Sequence, residues 1–210
     1  MKYLAEITET QLQIIYKVMI KRIAKGYSAE QLSYLLGRQR NYVAKVEFFA
    51  HDCYHISELS KIAKALEEDD YTCFMPARIR DDRIKIHMEK DLRDDTYTYT
   101  CATFSEEHKR RVRFVLEEYV GLCVFMDYRG TLDYEMMIVL DTVEVMIRDD
   151  YFNKERSPLD IFLSIKRFLK FSINPYCLQL VLDSYCETHY RRKLKRTYKG
   201  NYFFYMLDED

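Results

Sequence analysis

Apolar positions recur at three- and four-residue spacing from the start of the chain. Leu12, Ile15, Met19, Ile20 and Ile23 predict a first helix from about Thr10, closed by Gly26 just past its C-cap. Ser28 and Gln31 have the spacing of a capping box and open a second, short helix. Ala29, Leu32, Leu35 and Leu36 form its inner face and Gly37 stops it. A third helix is predicted from about Arg40 to Glu47, with Tyr42, Val43 and Val46 apolar. A fourth runs from Ile56 to Leu66, buried through Ile56, Leu59, Ile62, Ala63 and Leu66. The acidic run from Glu67 to Asp70 reads as a solvated linker.

The period then drops to two. Ile84, Ile86 and Met88 alternate with Arg83, Lys85, His87 and Glu89. Tyr97, Tyr99 and Cys101 alternate with Thr96, Thr98 and Thr100. This pattern predicts two strands joined by a loop over Lys90 to Asp95. A lone hairpin is marginal in water, so it must lie on something. From Ser105 the helical period returns. A fifth helix is predicted from a Ser105 cap to about Met126, and a sixth from Leu132 to Arg148. Ser157 and Pro158 open a seventh that ends before Asn174, and Pro175 opens an eighth reaching about Lys199. The fold class expected from these elements is mainly α.

Composition narrows the picture. With 5 Gly and 3 Pro in 210 residues, a sandwich or barrel is disfavoured and no Gly-rich phosphate cradle is present. The longest nearly uncharged apolar run, Tyr119 to Met126, is far too short to span a bilayer. The opening MKYLAEITET has no apolar signal core, so a cytoplasmic protein without membrane contact is expected. The 6 cysteines form no C-x-x-C pair and read as reduced, buried thiols. The net charge of -1 hides an asymmetry. Residues 1–66 carry ten Lys and Arg against six Asp and Glu, whereas residues 67–188 are strongly acidic. A basic first third is compatible with nucleic-acid binding through that third alone.

Two short helices joined by a tight turn and flanked by two more have the layout of a helix-turn-helix. Ser33 supplies a small residue on the second helix, Gly37 the turn, and Val43 and Val46 anchor the third helix. Residues 12–66 resemble the lambda-repressor/Cro-like helix-turn-helix domain, the XRE family. The resemblance rests on Leu32, Ser33, Leu36, Gly37, Tyr42, Val43, Val46 and Glu47 in order, followed by ISELSKIAKAL at 56–66. It departs from the family pattern at Gln39, where a Ser or Thr cap is usual, and in the apolar stretch Phe48 to Cys53. The acidic run and the hairpin mark a linker and hairpin over 69–104, and by elimination a helical domain over 105–210 serves dimerisation or an effector. The resemblance implies a helix-turn-helix domain over 1–68. It also implies that the helix at about 39–47 enters the major groove of double-stranded DNA, with Gln39, Arg40, Asn41 and Ala44 at base edges. Arg40 suits guanine, and Gln39 or Asn41 suits adenine. Lys25, Arg38 and Lys45 are the expected phosphate contacts.

Other features carry less. The basic stretch from His189 to Lys199, with Arg191, Arg192, Lys195 and Arg196, is a possible second basic patch or a charged helix end. Its H-x-x-R pair followed by Tyr198 lacks the spacing of a tyrosine recombinase. Cys177, Cys186 and His189 lack a fourth zinc ligand. Asp141 and Glu144 lack a second carboxylate pair for magnesium. The expectation is a sequence-specific transcriptional regulator binding as a homodimer, with no cofactor, no metal and no enzymatic activity. The alternative is a helix-turn-helix protein-interaction module, of the kind found in toxin–antitoxin or phage-defence assemblies.

Overall fold

The structure is a computed structural model that describes residues 2–104, 110–119, 129–187 and 193–208. The chain divides into two compact units, Met1–Ala29 with Asn41–Val124, and Glu30–Arg40 with Phe125–Asp210. Sequence pattern alone expects boundaries after residues 68 and 104.

The first unit is built on an antiparallel sheet in the order β1 (Lys2–Thr8), β2 (Arg83–Arg93), β3 (Thr96–Phe104) and β4 (Arg110–Tyr119). The mainly α expectation is therefore overturned: the fold is mixed α/β. The β2–β3 hairpin lies where alternation predicts it. Asp94 and Asp95, both at positive φ, make its two-residue turn, the conformation that matches strand twist. Strand β1 has no counterpart among the predicted elements. Of the segment predicted as the fifth helix, residues 110–119 are strand β4, and the remainder lies outside the described residues.

One face of the sheet makes the core. Ile86, Met88, Tyr99 and Cys101 pack against Leu12 and Met19 of helix α1 (Glu9–Ala24) and against Phe48. A bulge between Cys101 and Ala102 leaves Arg113 outside the β3–β4 register, and its guanidinium pairs with Glu9 of α1. Helices α3 (Tyr42–Glu47) and α4 (Ile56–Leu66) pack on α1. The strand-to-helix junction is capped by Thr8, whose Oγ1 accepts from the Gln11 amide at 3.1 Å while Gln11 Oε1 accepts from the Thr8 amide at 2.9 Å. Thr8→Ala is expected to cost about 1 kcal/mol, seen as a lower urea midpoint at unchanged denaturant slope.

The second unit contains helix α2 (Ala29–Leu35) from Glu30 onward, helices α5 (Arg129–Arg148), α6 (Pro158–Leu169) and α7 (Pro175–Glu187), and a hairpin of β5 (Lys193–Lys199) and β6 (Tyr202–Asp208). Ser157 caps α6 and Pro158 occupies its first turn, as the sequence predicts. Val139 and Val143 of α5, Phe162 and Ile165 of α6, and Leu178 and Leu182 of α7 are buried at helical spacing. The eighth predicted helix is corrected at its end: α7 is described over Pro175–Glu187, and residues 193–199 are not helix but a strand paired with the aromatic segment after Gly200. Arg156 and Tyr205 exchange backbone bonds of 2.8 and 2.9 Å beside that hairpin. Among the described residues no helix is long and apolar enough to cross a membrane.

Candidate nucleic-acid interface

Helix α3 has a buried face and an outward one. Tyr42, Val43, Val46 and Glu47 are buried, Ala44 is half-buried, and Asn41 and Lys45 are exposed. Tyr42 donates its hydroxyl to Glu58 Oε2 at 2.9 Å, and the Glu58 carboxylate also accepts the His55 amide. Tyr42 is thus a packing residue that ties α3 to α4. Asn41 makes no side-chain cap to α3, and among the described residues Lys45 has no ion-pair partner.

The deeper anchor is ionic. Arg22 of α1 is fully buried, and its five N–H donors all find acceptors. Nε and Nη2 reach the two Glu47 oxygens at 2.7 and 2.9 Å, and Nη1 and Nη2 reach the Glu118 oxygens at 2.8 and 3.2 Å. Nη1 also donates to the Tyr27 carbonyl at 2.6 Å. The Tyr99 hydroxyl closes on Glu118 Oε2 at 2.5 Å. Helix α1, the last residue of α3 and strand β4 are joined through one guanidinium. Desolvation opposes the Arg22 charge, but the two carboxylates outweigh it and hold the guanidinium protonated. Desolvation also opposes ionisation of Glu118, yet Arg22 and the Tyr99 hydroxyl hold that carboxyl below its ordinary range. Glu47 is pushed up by burial, with Arg22 pulling against that push. Sequence reasoning places Glu47 in its motif and misses Arg22. The signal was present: Arg22 follows Ile15 and Met19 on the apolar stripe of α1.

The other expected contact residues fall differently. Lys25 is half-buried and paired with Glu67. Arg38, Gln39 and Arg40 belong to the second unit, so the two helices of the motif, α2 and α3, fall in different units. Arg38 is not a solvated cation. It is 8% exposed, its guanidinium carbon lies 4.6 Å from the Tyr202 ring centroid, and Nη1 donates to the Asn201 carbonyl at 3.4 Å. Gln39 and Arg40 are exposed, and Arg40 pairs with Glu30 of α2.

Of the second basic patch, Arg191 and Arg192 lie outside the described residues. Lys195 and Arg196 are neighbours on a strand, not on a helix face, so they point to opposite sides. Lys195 pairs with Asp208 at 3.0 Å. Arg196 pairs with Asp183 and donates to the Tyr205 hydroxyl at 3.3 Å, and that hydroxyl in turn donates to Asp183 at 3.1 Å. Arg196 also faces Arg38 and Arg40 across one cavity of about 230 Å³, together with Tyr34, Tyr198 and Phe203. The second unit thereby gathers residues from two stretches that read as separate basic features in the sequence.

Four of the described thiols are poorly suited to nucleophilic chemistry. Burial pushes the thiols of Cys53 and Cys186 up to about 11 and those of Cys101 and Cys177 up to about 12, which disfavours the nucleophilic thiolate. Among the described residues no group of His, Cys, Asp and Glu is placed to hold a metal ion. No family model, curated protein or solved structure matches this chain.

Proposed function

We propose that the protein is a sequence-specific DNA-binding regulator that reads duplex DNA with the outward face of α3. The observation that carries this reading is the two-sidedness of that helix. Its inner face is fixed by Tyr42, Val43, Val46 and the Arg22–Glu47 pair, while Asn41 and Lys45 stand exposed beside Ala44. A reading helix needs both properties: a rigid back, so that base contacts are pre-oriented, and a polar front with little competing protein contact. Asn41 has the donor and acceptor pair that matches adenine N7 and N6, and Lys45 is suited to a phosphate. The residue order from Leu32 to Glu47 resembles the lambda-repressor/Cro-like pattern in sequence, which supports the same reading. Exposed Tyr134, Met137 and Val145 on α5 support self-association through the second unit, as expected of a regulator that reads two half-sites.

Selection of the purified chain against random duplex DNA, followed by salt titration, tests this. One enriched motif is expected, two-fold symmetric if the protein binds as a dimer. Asn41→Ala is expected to cost about 1–3 kcal/mol and to relax specificity at one base pair. Lys45→Ala is expected to weaken binding to all sequences alike and to reduce the salt slope by about 1. If no motif is enriched and neither variant differs from the parent, the regulator reading fails, and a protein-interaction module takes its place.

A further inference from the structure

The cavity of the second unit combines cations with aromatic walls. Arg38, Arg40 and Arg196 face it, and among the described residues Glu30 is the single lining carboxylate. Tyr34, Tyr198 and Phe203 supply the ring surfaces. We propose that this cavity binds a small planar ring bearing one anionic group, a phosphate or a carboxylate.

Each part of the lining has a matching part in such a ligand. Arg38 is held in place: it is buried, stacked on Tyr202 and bonded to the Asn201 carbonyl. A guanidinium pre-oriented in this way loses little freedom when it takes a planar or tetrahedral oxyanion. Arg40 is the movable partner. Its pair with Glu30 is solvent-exposed, and exposed pairs are weak, so an arriving anion can replace Glu30 at low cost. Arg196 is already committed to Asp183 and Tyr205, and it stiffens the wall beneath the ring site. Its guanidinium carbon lies 5.2 Å from the Phe203 centroid, which keeps that ring in place. Size sets the limit. About 230 Å³ falls below the roughly 300–1,000 Å³ of pockets that hold drug-sized ligands, so a dinucleotide does not fit, whereas one ring with one acidic group does.

Four probes separate the contributions: phenyl phosphate, benzoate, inorganic phosphate and uncharged phenol. Each is titrated calorimetrically into the full chain. The expected result is that phenyl phosphate, benzoate or both bind at least about tenfold more tightly than inorganic phosphate or phenol, the effect of one charge-assisted hydrogen bond. Which of the two binds identifies the source of the anion. Arg40→Gln and Tyr198→Ala remove exposed side chains and are expected to weaken that binding about fivefold or more at an unchanged thermal midpoint. The inference is overturned if no probe binds at millimolar concentration, if phosphate alone binds as well as the ring-bearing anions, or if both variants bind like the parent. These results do not depend on DNA binding, so the cavity and the α3 surface stand or fall separately.

Discussion

Arg22→Met is expected to cost about 3–5 kcal/mol of folding stability at neutral pH, the scale for removing one partner from a buried ionic cluster. The side-chain volumes are similar, so the loss comes from charge rather than from a cavity. With the guanidinium gone, Glu47 and Glu118 remain together in the interior without their shared counter-ion. Lys90 is a poor replacement: burial lowers its pKa, and its ammonium sits over an aromatic face, 3.4 Å from the Tyr97 ring centroid. The sign of the pH dependence separates this cause from simple mispacking. In the parent, Glu118 sits below its ordinary value, so its contribution is complete above the usual carboxyl range and fades as pH falls. In the variant, burial without the guanidinium pushes both carboxyls up. The folded state then holds more protons than the unfolded state, and stability falls as pH rises. Urea denaturation at pH 5 and pH 8 should therefore show a smaller deficit for Arg22→Met at the lower pH. An equal deficit at both values would assign the loss to packing. A deficit under about 1 kcal/mol would remove the cluster as the anchor of α3.

How far local pattern reaches is clear from particular strands. The β2–β3 hairpin is legible because each strand keeps one apolar face over several residues. Strand β4 is not: Val112, Val115, Leu116 and Tyr119 fall at helical spacing, and Val112 and Val115 are apolar yet exposed. Strand β1 carries an exposed Leu4 between the inward Tyr3 and Ala5, which blurs its alternation. The β5–β6 hairpin is masked by lysines and arginines, which are strong helix formers. Its turn signal, Gly200-Asn201 between two alternating runs, is nonetheless present. The outward residues of α3 can be read from sequence because a helix needs only local spacing. The Arg22 cluster and the cavity cannot, since Glu118 and Arg196 come from 96 and 158 positions beyond Arg22 and Arg38 in the chain. Nothing local marks a carboxylate on a strand as the partner of an arginine on a distant helix.

Gly37→Ala is expected to destabilise the chain by about 2–4 kcal/mol, combining two penalties at one backbone position. The first is conformational. Gly37 sits at φ +67°, where a Cβ crowds its own carbonyl and costs roughly 1–2 kcal/mol. The second is a close approach that no local pattern announces. A Cβ at Gly37 would lie 2.8 Å from the Phe203 carbonyl oxygen and 3.4 Å from Pro158 Cδ. The Gly37 carbonyl accepts the Phe203 amide at 2.8 Å, so backbone meets backbone and no flexible side chain can yield. Gly200 provides the internal control. It has a similar φ of +58°, and a methyl added there would meet nothing within 4 Å, so Gly200→Ala should cost the conformational part alone. Equal losses for the two variants in parallel denaturation would show that the approach to Phe203 carries no energy. A larger loss at Gly37 would have a second consequence. Gly37 leads directly into Arg38, Gln39 and Arg40, and Phe203 lines the same cavity. Moving the two backbones apart should then weaken any anion bound there, in proportion to the stability lost.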